Sequence, residues 1–306
     1  PQIIASLKKL KKYTAHNFEK FRIRKMSIYG ENDKQGQYWN EAPGQSWVIN
    51  DTAMNERLEN ISDILFQGLD ATGCNNGLDL GCGAGSTTRR LAKIMGNQAR
   101  VTGLDISEKL LGLARSHPKS SSENFLQADA QSYTFKPAGF DLAISRFGVM
   151  FFENPTKAFQ NIKSAIQKDC EMRFVCWAPL AANDFFHSPL NTVVDITGVS
   201  FAEPGREPGP LAFSDRSYLY SILKAADFSS VNIDTVETKI MTKDSAEQNA
   251  SLLMEIGMGF RAIKEAAPSN DVLTEIREAF VTDGNKRLQN GIISYDATVY
   301  LVSVAA

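Results

Sequence analysis

A glycine-rich turn at residues 78–86 is the segment whose residue types and spacing most clearly indicate chemistry. It reads LDLGCGAGS, with glycines at positions 81, 83 and 85. Glycines let the backbone turn sharply and approach a ligand that a Cβ atom would exclude. A helix that begins directly after such a turn presents free N–H groups to the polar end of that ligand. The turn therefore predicts a site for a nucleotide-like ligand.

Three aspartates accompany the turn, each at or near the end of an apolar run. Asp79 precedes the first glycine by two positions, where a carboxylate repels a pyrophosphate but attracts an ammonium group. Asp105 ends the next run, where it can accept hydrogen bonds from both hydroxyls of a ribose. Asp129, followed by Ala130, closes the third run and can accept a hydrogen bond from an exocyclic amine. We expect these groups to share one edge of a sheet, at the carboxyl ends of its strands, where α/β folds bind ligands.

Apolar runs that alternate with helix-like stretches must position these aspartates. The runs cover residues 77–80, 100–104, 124–128, 140–145 and 172–177, and the helix-like stretches cover 86–95, 107–116 and 156–167. Strands that alternate with helices form βαβ units and a mostly parallel sheet. Together with two later strand-like runs, 231–236 and 295–303, the pattern predicts an α/β protein with a doubly wound, mostly parallel sheet of seven strands.

The residues before the turn are expected to form a cap and the first helix of the core. Residues 1–47 combine a basic segment with a loop, because residues 30–50 are rich in Gly, Asn, Gln and Pro. That loop carries Trp39 and Trp47, which predicts that it lies over a pocket. From residue 48 an apolar stripe with helical spacing begins the core, which we place at 48–178. The stripe consists of Met54, Leu58, Ile61 and Leu65.

Residues 179–306 are expected to complete the sheet and to carry two substrate-cap insertions. Prolines and glycines predict an irregular insertion at 179–212. Ser214 is then expected to cap a helix. Apolar spacing predicts helices at 245–266 and 271–290, which form the second insertion.

Composition narrows the class of protein. The chain has 306 residues and a formal net charge of −2, so charge gives no general attraction to nucleic acid. It has neither an apolar run long enough for a membrane span nor a signal peptide, and no CxxC pair indicates zinc or redox chemistry. We therefore expect a cytoplasmic protein. Eight Lys and Arg residues between Lys8 and Lys25 could contact a membrane surface or an acidic partner, or form a solvated helix.

The turn and the strand ends resemble those of the class I S-adenosylmethionine-dependent methyltransferases. LDLGCGAGSTTRRLA is similar to the first motif of that family, GLDIS (103–107) to its acidic second strand, and QADAQSY (127–133) and FDLAISRFGVMFF (140–152) to its third and fourth strand ends. The resemblance covers residues 48–178 and implies a Rossmann-like fold. QYWNEAPGQSW (37–47) also looks like the entry loop of a small-molecule subgroup near the quinone-biosynthesis C-methyltransferases. The implied cofactor is S-adenosyl-L-methionine, and the implied product is S-adenosyl-L-homocysteine.

The resemblance also implies roles for individual residues. Asp79 and the turn, with Gly81, Cys82, Gly83 and Gly85, would hold the methionine moiety. Asp105 would bind the ribose, and the adenine would be met by Ile106, Asp129 and Ala130. Ser145 and Arg146 would line the floor of the pocket near the sulfonium. Trp39 and Trp47 would close over the methionine end. The two tryptophans could equally be core aromatics. We assign Cys82 no thiol chemistry.

Methyl transfer needs no metal, and the three histidines are too widely spaced to suggest a metal site. An O- or C-nucleophile gains from a general base, for which His187 is the candidate because it follows the fifth strand over the expected pocket mouth. The expected acceptor is a small apolar or aromatic molecule, as the phenylalanines Phe151, Phe152, Phe185, Phe186 and Phe201 suggest, although these rings could simply pack the cap onto the sheet.

Two alternative functions remain open at this point. An NAD-dependent Rossmann oxidoreductase would need a glycine at Ser86 to complete GxGxxG. A catalytically silent S-adenosylmethionine-binding subunit would work through a protein partner, for which the basic N-terminal segment is the expected contact. A homodimer is a further expectation. Methylation of nucleic acid is not expected, because enzymes that act on a flipped base amine would be expected to have an NPPY-like tetrapeptide after the fourth strand, where this sequence reads SRFG.

Overall fold

The computed structural model describes residues 32–118 and 122–306. The basic segment at the start of the chain, including any partner contact it makes, lies outside the described residues. Four helices precede the sheet: α1 (Asp33–Asn40), α2 (Ala42–Ile49), α3 (Asp51–Arg57) and α4 (Glu59–Phe66). The apolar stripe predicted from residue 54 onward is buried, as expected, and it runs through α3 and α4.

Five parallel strands form the half of the sheet that carries the glycine-rich turn. They are β1 (Asn76–Leu80), β2 (Arg100–Asp105), β3 (Glu123–Gln127), β4 (Leu142–Arg146) and β5 (Glu171–Trp177), in the spatial order β3-β2-β1-β4-β5. Three helices connect them: α5 (Ser86–Met95), α6 (Glu108–Ser116) and α7 (Pro155–Ala165). The order reverses between β1 and β4, which is the point where doubly wound sheets bind ligands.

Local sequence explains where the connecting helices begin. α5 starts directly after Gly85, whose φ of +83° suits a glycine. The Ser107 side chain accepts a hydrogen bond from the N–H of Leu110 and so caps α6. Asn154 caps α7 in the same way, with Pro155 at its first position.

The second half of the sheet is antiparallel. β6 (Ser230–Thr242), β7 (Leu288–Gln289) and β8 (Ile292–Ala305) supply it, and β8 lies between β5 and β6 although it follows both in the chain. The two-residue β7 pairs with β8 through a tight turn at Asn290 and Gly291, both with positive φ. The predicted doubly wound α/β sheet is confirmed, with this short eighth strand added.

Five helices surround this half: α8 (Asp184–Thr197), α9 (Arg216–Ala225), α10 (Ala246–Leu253), α11 (Gly257–Ala266) and α12 (Asn270–Arg287). None of the helices in the described ranges is both long and apolar enough to cross a membrane.

Four local predictions are wrong. The helix predicted at 245–266 is divided into α10 and α11, and Gly257, with a φ of +94°, lies at the break. Residues 33–49 form α1 and α2 and not a loop, because both helices pack onto α6, and Pro43 falls in the first turn of α2, where proline is tolerated. The predicted irregular insertion contains α8, which encloses Pro189. Its apolar face, buried against α11 and α12, outweighs the cost of that proline. The cap of α9 is Asp215 and not Ser214, since the Asp215 carboxylate accepts hydrogen bonds from two backbone N–H groups.

Candidate active site

The glycine-rich turn is held under the ends of β2 and β4. The N–H groups of Gly81 and Cys82 donate to the carbonyl of Leu104, at 2.8 and 3.1 Å. A Cβ atom on Gly81 would lie 2.5 Å from the Cα of Gly148, in the segment after β4. The two backbones can come this close because both residues are glycine. Above Gly83, by contrast, a Cβ atom would meet nothing within 4 Å. The backbone at Gly83 therefore faces open space that a ligand can fill.

Asp105 connects the turn to the start of α6. Its Oδ2 accepts a hydrogen bond from the N–H of Gly83 at 2.7 Å, and its Oδ1 accepts one from the N–H of Ser107 at 2.8 Å. Burial raises the pKa of Asp105, and these backbone donors act in the opposite direction. Each carboxylate oxygen can still accept a second hydrogen bond, so Asp105 can receive two hydroxyl donors from the cavity side.

A cavity of about 830 Å³ opens above these groups. Most residues predicted for the cofactor line it. They are Trp39, Trp47, Gly81, Cys82, Gly83, Asp105, Ile106, Asp129, Ala130 and Arg146. The structure thus brings together the ends of β1, β2, β3 and β4, as the sequence predicts.

Three of the predicted cofactor residues do not line the cavity. Asp79 lies behind the turn, only 1% exposed, and its Oδ2 accepts hydrogen bonds from the hydroxyls of Thr87 and Thr88 at 2.7 and 2.6 Å. Burial raises the pKa of Asp79 to about 6. Ser145 is fully buried and donates to the Leu80 carbonyl at 2.7 Å. A Cβ atom on Gly85 would lie 2.7 Å from the ring of Phe125, so this glycine packs against a side chain and not against the cavity. Direct contact of these three residues with a ligand stays a prediction that this geometry does not support.

His187 is not at the pocket mouth, contrary to expectation. It lies on α8 outside the cavity lining, with its Nε2 atom 3.2 Å from the side-chain amide of Asn191. The residues of α8 that line the cavity are Phe185 and Phe186, in the first turn of the helix. Because successive residues of a helix point in different directions, His187 is turned away from it.

Helices α1 and α2, which we call the roof, cover the strand ends. The Ser107 hydroxyl donates to the Trp39 carbonyl at 2.7 Å, and Asn40 exchanges hydrogen bonds with the Ile106 carbonyl and the Glu108 N–H at 3.1 and 2.9 Å. At the other end of α1, the Asn32 amide donates to Asp129 at 3.4 Å. The roof therefore spans the gap between β2 and β3, where the resemblance implies an adenine.

The two predicted tryptophans lie in the roof. Trp39 contacts both Trp47 and Phe151 edge to face, with ring centroids 6.1 and 5.1 Å apart. These ring contacts are typical of aromatic residues that pack in a core. The same two rings also line the cavity, where they could contact a ligand. Both roles that the sequence left open therefore stay open, and contact of Trp39 and Trp47 with a ligand stays a prediction.

A polar network at the start of α5 was missed by sequence reasoning. The buried guanidinium of Arg146 donates to Ser62, Asn55 and Ser86, at 2.8, 2.6 and 3.2 Å. Asn55 in turn donates to Oδ1 of Asp51, at 2.8 Å, and Asp51 lines the cavity. The signal was present: positions 51, 55 and 62 recur at helical spacing directly beside the apolar stripe.

Aromatic rings form a further part of the cavity lining. The ring of Phe147 stacks on Trp177, with centroids 4.3 Å apart and planes within 10°, and Trp177 meets Phe186 edge to face at 4.9 Å. Phe147 has a φ of +68°, a left-handed conformation that costs energy for a residue with a Cβ atom. We call Phe147, Trp177 and Phe186 the aromatic wall. Of the five phenylalanines that suggested an apolar substrate, all but Phe201 line the cavity.

Thiol and metal chemistry find no support in this site. Cys82 is buried, and burial raises the pKa of its thiol well above the usual value, so the thiol stays protonated. Across residues 32–118 and 122–306, no group of His, Cys, Asp and Glu side chains has the arrangement of a metal site.

The residues present fit the nucleoside end of the cofactor that the resemblance implies. Gly83 leaves space for close approach, Asp105 can accept two hydroxyl donors, and Ile106 and Ala130 supply apolar lining that an adenine could contact. The roof closes this space from above through its hydrogen bonds to the ends of β2 and β3.

Comparison with known proteins agrees with this geometry. A family model described as a methyltransferase domain matches residues 78–169. The ubiquinone/menaquinone biosynthesis C-methyltransferase of Wigglesworthia glossinidia brevipalpis is 30% identical over 94 residues, which cover 29% of this chain and 38% of that protein. The 2-phytyl-1,4-naphtoquinone methyltransferase of Thermosynechococcus vestitus is 42% identical over 64 residues, covering 21% and 28%.

A relative with another kind of acceptor in its name is also similar. The malonyl-[acyl-carrier protein] O-methyltransferase of Enterobacter lignolyticus is 31% identical over 108 residues, covering 35% of this chain and 41% of that protein. The chain thus spans less than half the length of each of these relatives. The family match spans the glycine-rich turn and the strands β2, β3 and β4, so residues 78–169 are similar to a methyltransferase domain.

Proposed function

We propose that this protein transfers the methyl group of S-adenosylmethionine to an O, N or C nucleophile of a small apolar or aromatic molecule. The observation that carries the proposal is that one cavity joins the glycine-rich turn and Asp105 to the aromatic wall. Groups that can bind a nucleoside and groups that can bind an apolar ring thus line the same cavity. The names of the quinone methyltransferase relatives support a small-molecule acceptor.

The bound cofactor supplies an electrophilic methyl group on a sulfonium. The work of the chain is then to align the acceptor with that methyl group and to exclude water. Asp105 would hold the ribose hydroxyls, and the backbone at Gly83 would lie against the cofactor. The roof would cover both, since Trp39 and Trp47 lie over the strand ends.

An acceptor that loses a proton needs a group to receive it. His187 lies outside the cavity, whereas Asp51 lines it. No hydrogen bond to Oδ2 of Asp51 is found among the described residues, and burial raises the pKa of its carboxyl group. Asp51 therefore replaces His187 as our candidate proton acceptor. Asp51→Asn should lower kcat more than it raises the KM of the acceptor.

The two alternative functions gain nothing from the site. Ser86, which stands where a dinucleotide fingerprint needs glycine, has its hydroxyl bonded to Asn55 at 2.8 Å, so its side chain is part of the network. No observation favours a silent subunit. A cytoplasmic location, and a homodimer or protein partner through the basic N-terminal segment, stay predictions.

Calorimetric titration with S-adenosylmethionine, S-adenosylhomocysteine and NAD tests the proposal. We expect the first two to bind and NAD to give no signal. Asp105→Ala should weaken binding by more than about 1 kcal/mol, the scale of a lost buried hydrogen bond, while Asp195→Ala, an exposed acid on α8, should leave it unchanged. Binding of NAD alone would overturn the proposal, and unchanged affinity in Asp105→Ala would remove the ribose assignment.

A further inference from the structure

Two positively charged side chains line the cavity without a carboxylate partner. Arg261 and Lys264 both belong to α11 and both face the cavity. Among residues 32–118 and 122–306, no carboxylate oxygen lies within 4.0 Å of either cation. Their neighbours are apolar or soft: Arg261 lies 3.9 Å from the sulfur of Met258, and the Lys264 ammonium lies 5.3 Å from the centroid of Phe260. Both charges are therefore available to an anion in the cavity.

These cations continue one surface with the aromatic wall. A Cβ atom built on Gly257, at the start of α11, would lie 3.9 Å from the ring of Phe186. Arg261 and Lys264 follow Gly257 by four and seven residues, so all three lie on one face of the helix. At about 1.5 Å per residue, Arg261 lies roughly 6 Å and Lys264 roughly 10 Å further along. A flat molecule against the wall can thus direct a substituent to these cations.

The opposite side of the mouth adds a hydrogen-bond donor. Tyr38 of the roof lines the same cavity, and no hydrogen bond of its hydroxyl is found in the described part of the chain. Burial raises the pKa of Tyr38, and the positive charge of Arg261 acts against this shift, as expected for two groups that lie near each other. The phenol therefore stays protonated and can donate toward an anion between α1 and α11.

The carboxylates near this surface keep their charge, but in the described part of the chain none of them forms an ion pair with Arg261 or Lys264. Glu255 accepts a hydrogen bond from Asn50 at 3.1 Å, which ties it to the roof. Glu265 also lines the cavity, four residues after Arg261, but it forms no ion pair with Arg261. Asp51 also lines the cavity and accepts a hydrogen bond from Asn55, which belongs to the network of Arg146.

We propose that the acceptor is a planar aromatic acid, whose ring lies against the aromatic wall and whose carboxylate is bound by Arg261 and Lys264. This inference rests on the proposed function and names the substrate class for the same site. The guanidinium can form two parallel hydrogen bonds with a carboxylate, and the ammonium adds a second charge. The acid group is the recognition element here, and the methylated nucleophile is a separate atom on the same ring system.

A matched pair of probes tests the proposal. 3-Hydroxy-2-naphthoate and 3-hydroxy-2-naphthamide have the same ring and hydroxyl group and differ in charge. Each is titrated calorimetrically into the full chain, with and without saturating S-adenosylhomocysteine. We expect the acid to bind at least about tenfold more tightly than the amide, since hydrogen bonds to a charged group are stronger than those between neutral groups. The preference should shrink with added salt.

Variants assign that preference to the two cations. Arg261→Met and Lys264→Met should each reduce the acid-to-amide ratio about threefold or more, and the double variant should bring it close to one. Lys243→Met, at an exposed position outside the cavity lining, serves as the control and should keep the full ratio. Affinity for S-adenosylhomocysteine should be unchanged in all of them.

Equal binding of the two probes, binding of neither, or a preference that survives in the double variant would overturn the inference. If S-adenosylhomocysteine binds and the acid is not preferred, only the acceptor class is wrong. If S-adenosylhomocysteine does not bind, the proposed function fails, and the titrations without it still measure the preference for the acid.

Discussion

At the scale of single residues, Asp79 is a carboxyl group that the fold buries completely beneath the glycine-rich turn. Two hydroxyl groups bond its Oδ2, whereas its Oδ1 has no hydrogen-bond partner among the described residues. The charge of Arg146 is also close enough to lower the pKa of Asp79, but burial outweighs these effects. The ionised form is therefore costly, and the stability of the protein should depend on the pH near this group.

Asp79→Asn should reveal that dependence. The pKa of Asp79 rises from 3.8 when unfolded to about 6 in the folded protein, so the folded state binds more protons between these pH values. The free energy of unfolding should then fall as the pH rises through this window. The stabilisation from the protonated Asp79 side chain is fully present only below the unfolded pKa of 3.8. A shift of about two units corresponds to about 3 kcal/mol. Urea unfolding at pH 4, 5, 6 and 7 measures it.

In this experiment the wild type should lose about 2.4 kcal/mol relative to Asp79→Asn between pH 4 and pH 7, because part of the effect already lies below pH 4. Asp195→Asn, at an exposed position on α8, should give a curve parallel to that of the wild type. Parallel curves for Asp79→Asn and the wild type would show that Asp79 titrates normally.

At the scale of elements, the roof depends on a close contact between its two helices. A Cβ atom on Gly44 of α2 would lie 1.8 Å from the carbonyl oxygen of Trp39 in α1. That same carbonyl accepts the hydrogen bond from Ser107, at the end of β2. The position of α1 over the strand ends is therefore set by the absence of a side chain at residue 44.

Gly44→Ala should displace the roof and weaken cofactor binding. Overpacking of this kind costs about 1–3 kcal/mol, so we expect the Kd of S-adenosylhomocysteine to rise about tenfold or more. Gly112→Ala is the matched control, because a Cβ atom there meets nothing within 4 Å, in the middle of α6. That control should stabilise the protein by about 0.5–1 kcal/mol and leave the Kd unchanged. Equal Kd values for both variants would contradict the role given to the roof.

The sequence predicts the parallel half of the sheet well, because its signals are local. The apolar runs, the helix caps Ser107 and Asn154 and the glycine-rich turn each determine their own segment, and the strand ends then meet at one edge. The roof and α8 could not be predicted in this way. Their residues favour loops, and they are helical because of packing against α6, α11 and α12, which involves distant parts of the chain.

The same distinction applies within the site. Asp105 and Asp129 follow from their position at strand ends, whereas Arg261 and Lys264 reach the cavity only through the packing of α11 on α8. His187 illustrates the reverse error. Its place in the sequence, after β5, suggested the pocket mouth, but the helical phase of α8 turns it away.

At the scale of the whole molecule, an ion pair between a buried arginine and a partly exposed aspartate joins the first helices to the second half of the sheet. The guanidinium of Arg57, 1% exposed, lies 2.6 Å from the carboxylate of Asp244, which follows β6. Arg57 also donates to Asn249, whose amide donates to the hydroxyl of Tyr295 on β8. The pair thus links α3, α10 and the last strand of the sheet.

Asp244→Ala should destabilise the protein strongly, because it leaves a buried guanidinium without its counter-ion. Loss of one partner of a buried pair costs about 3–5 kcal/mol. Asp296→Ala removes the partner of Lys239 in an exposed pair on the neighbouring strands and should cost at most about 1 kcal/mol. Urea unfolding of both variants measures the difference. Similar losses for the two variants would show that the pair of Arg57 and Asp244 does not join the two halves.

The position of β8 between β5 and β6 has a consequence for synthesis on the ribosome. Both neighbours leave the ribosome before β8 exists, and synthesis of residues 243–305 takes on the order of 3–13 s at roughly 5–20 residues per second. During that interval β5 and β6 each expose the backbone edge that β8 later pairs. The nascent protein therefore carries a sheet in two separate pieces, and the strand that joins them is translated after both.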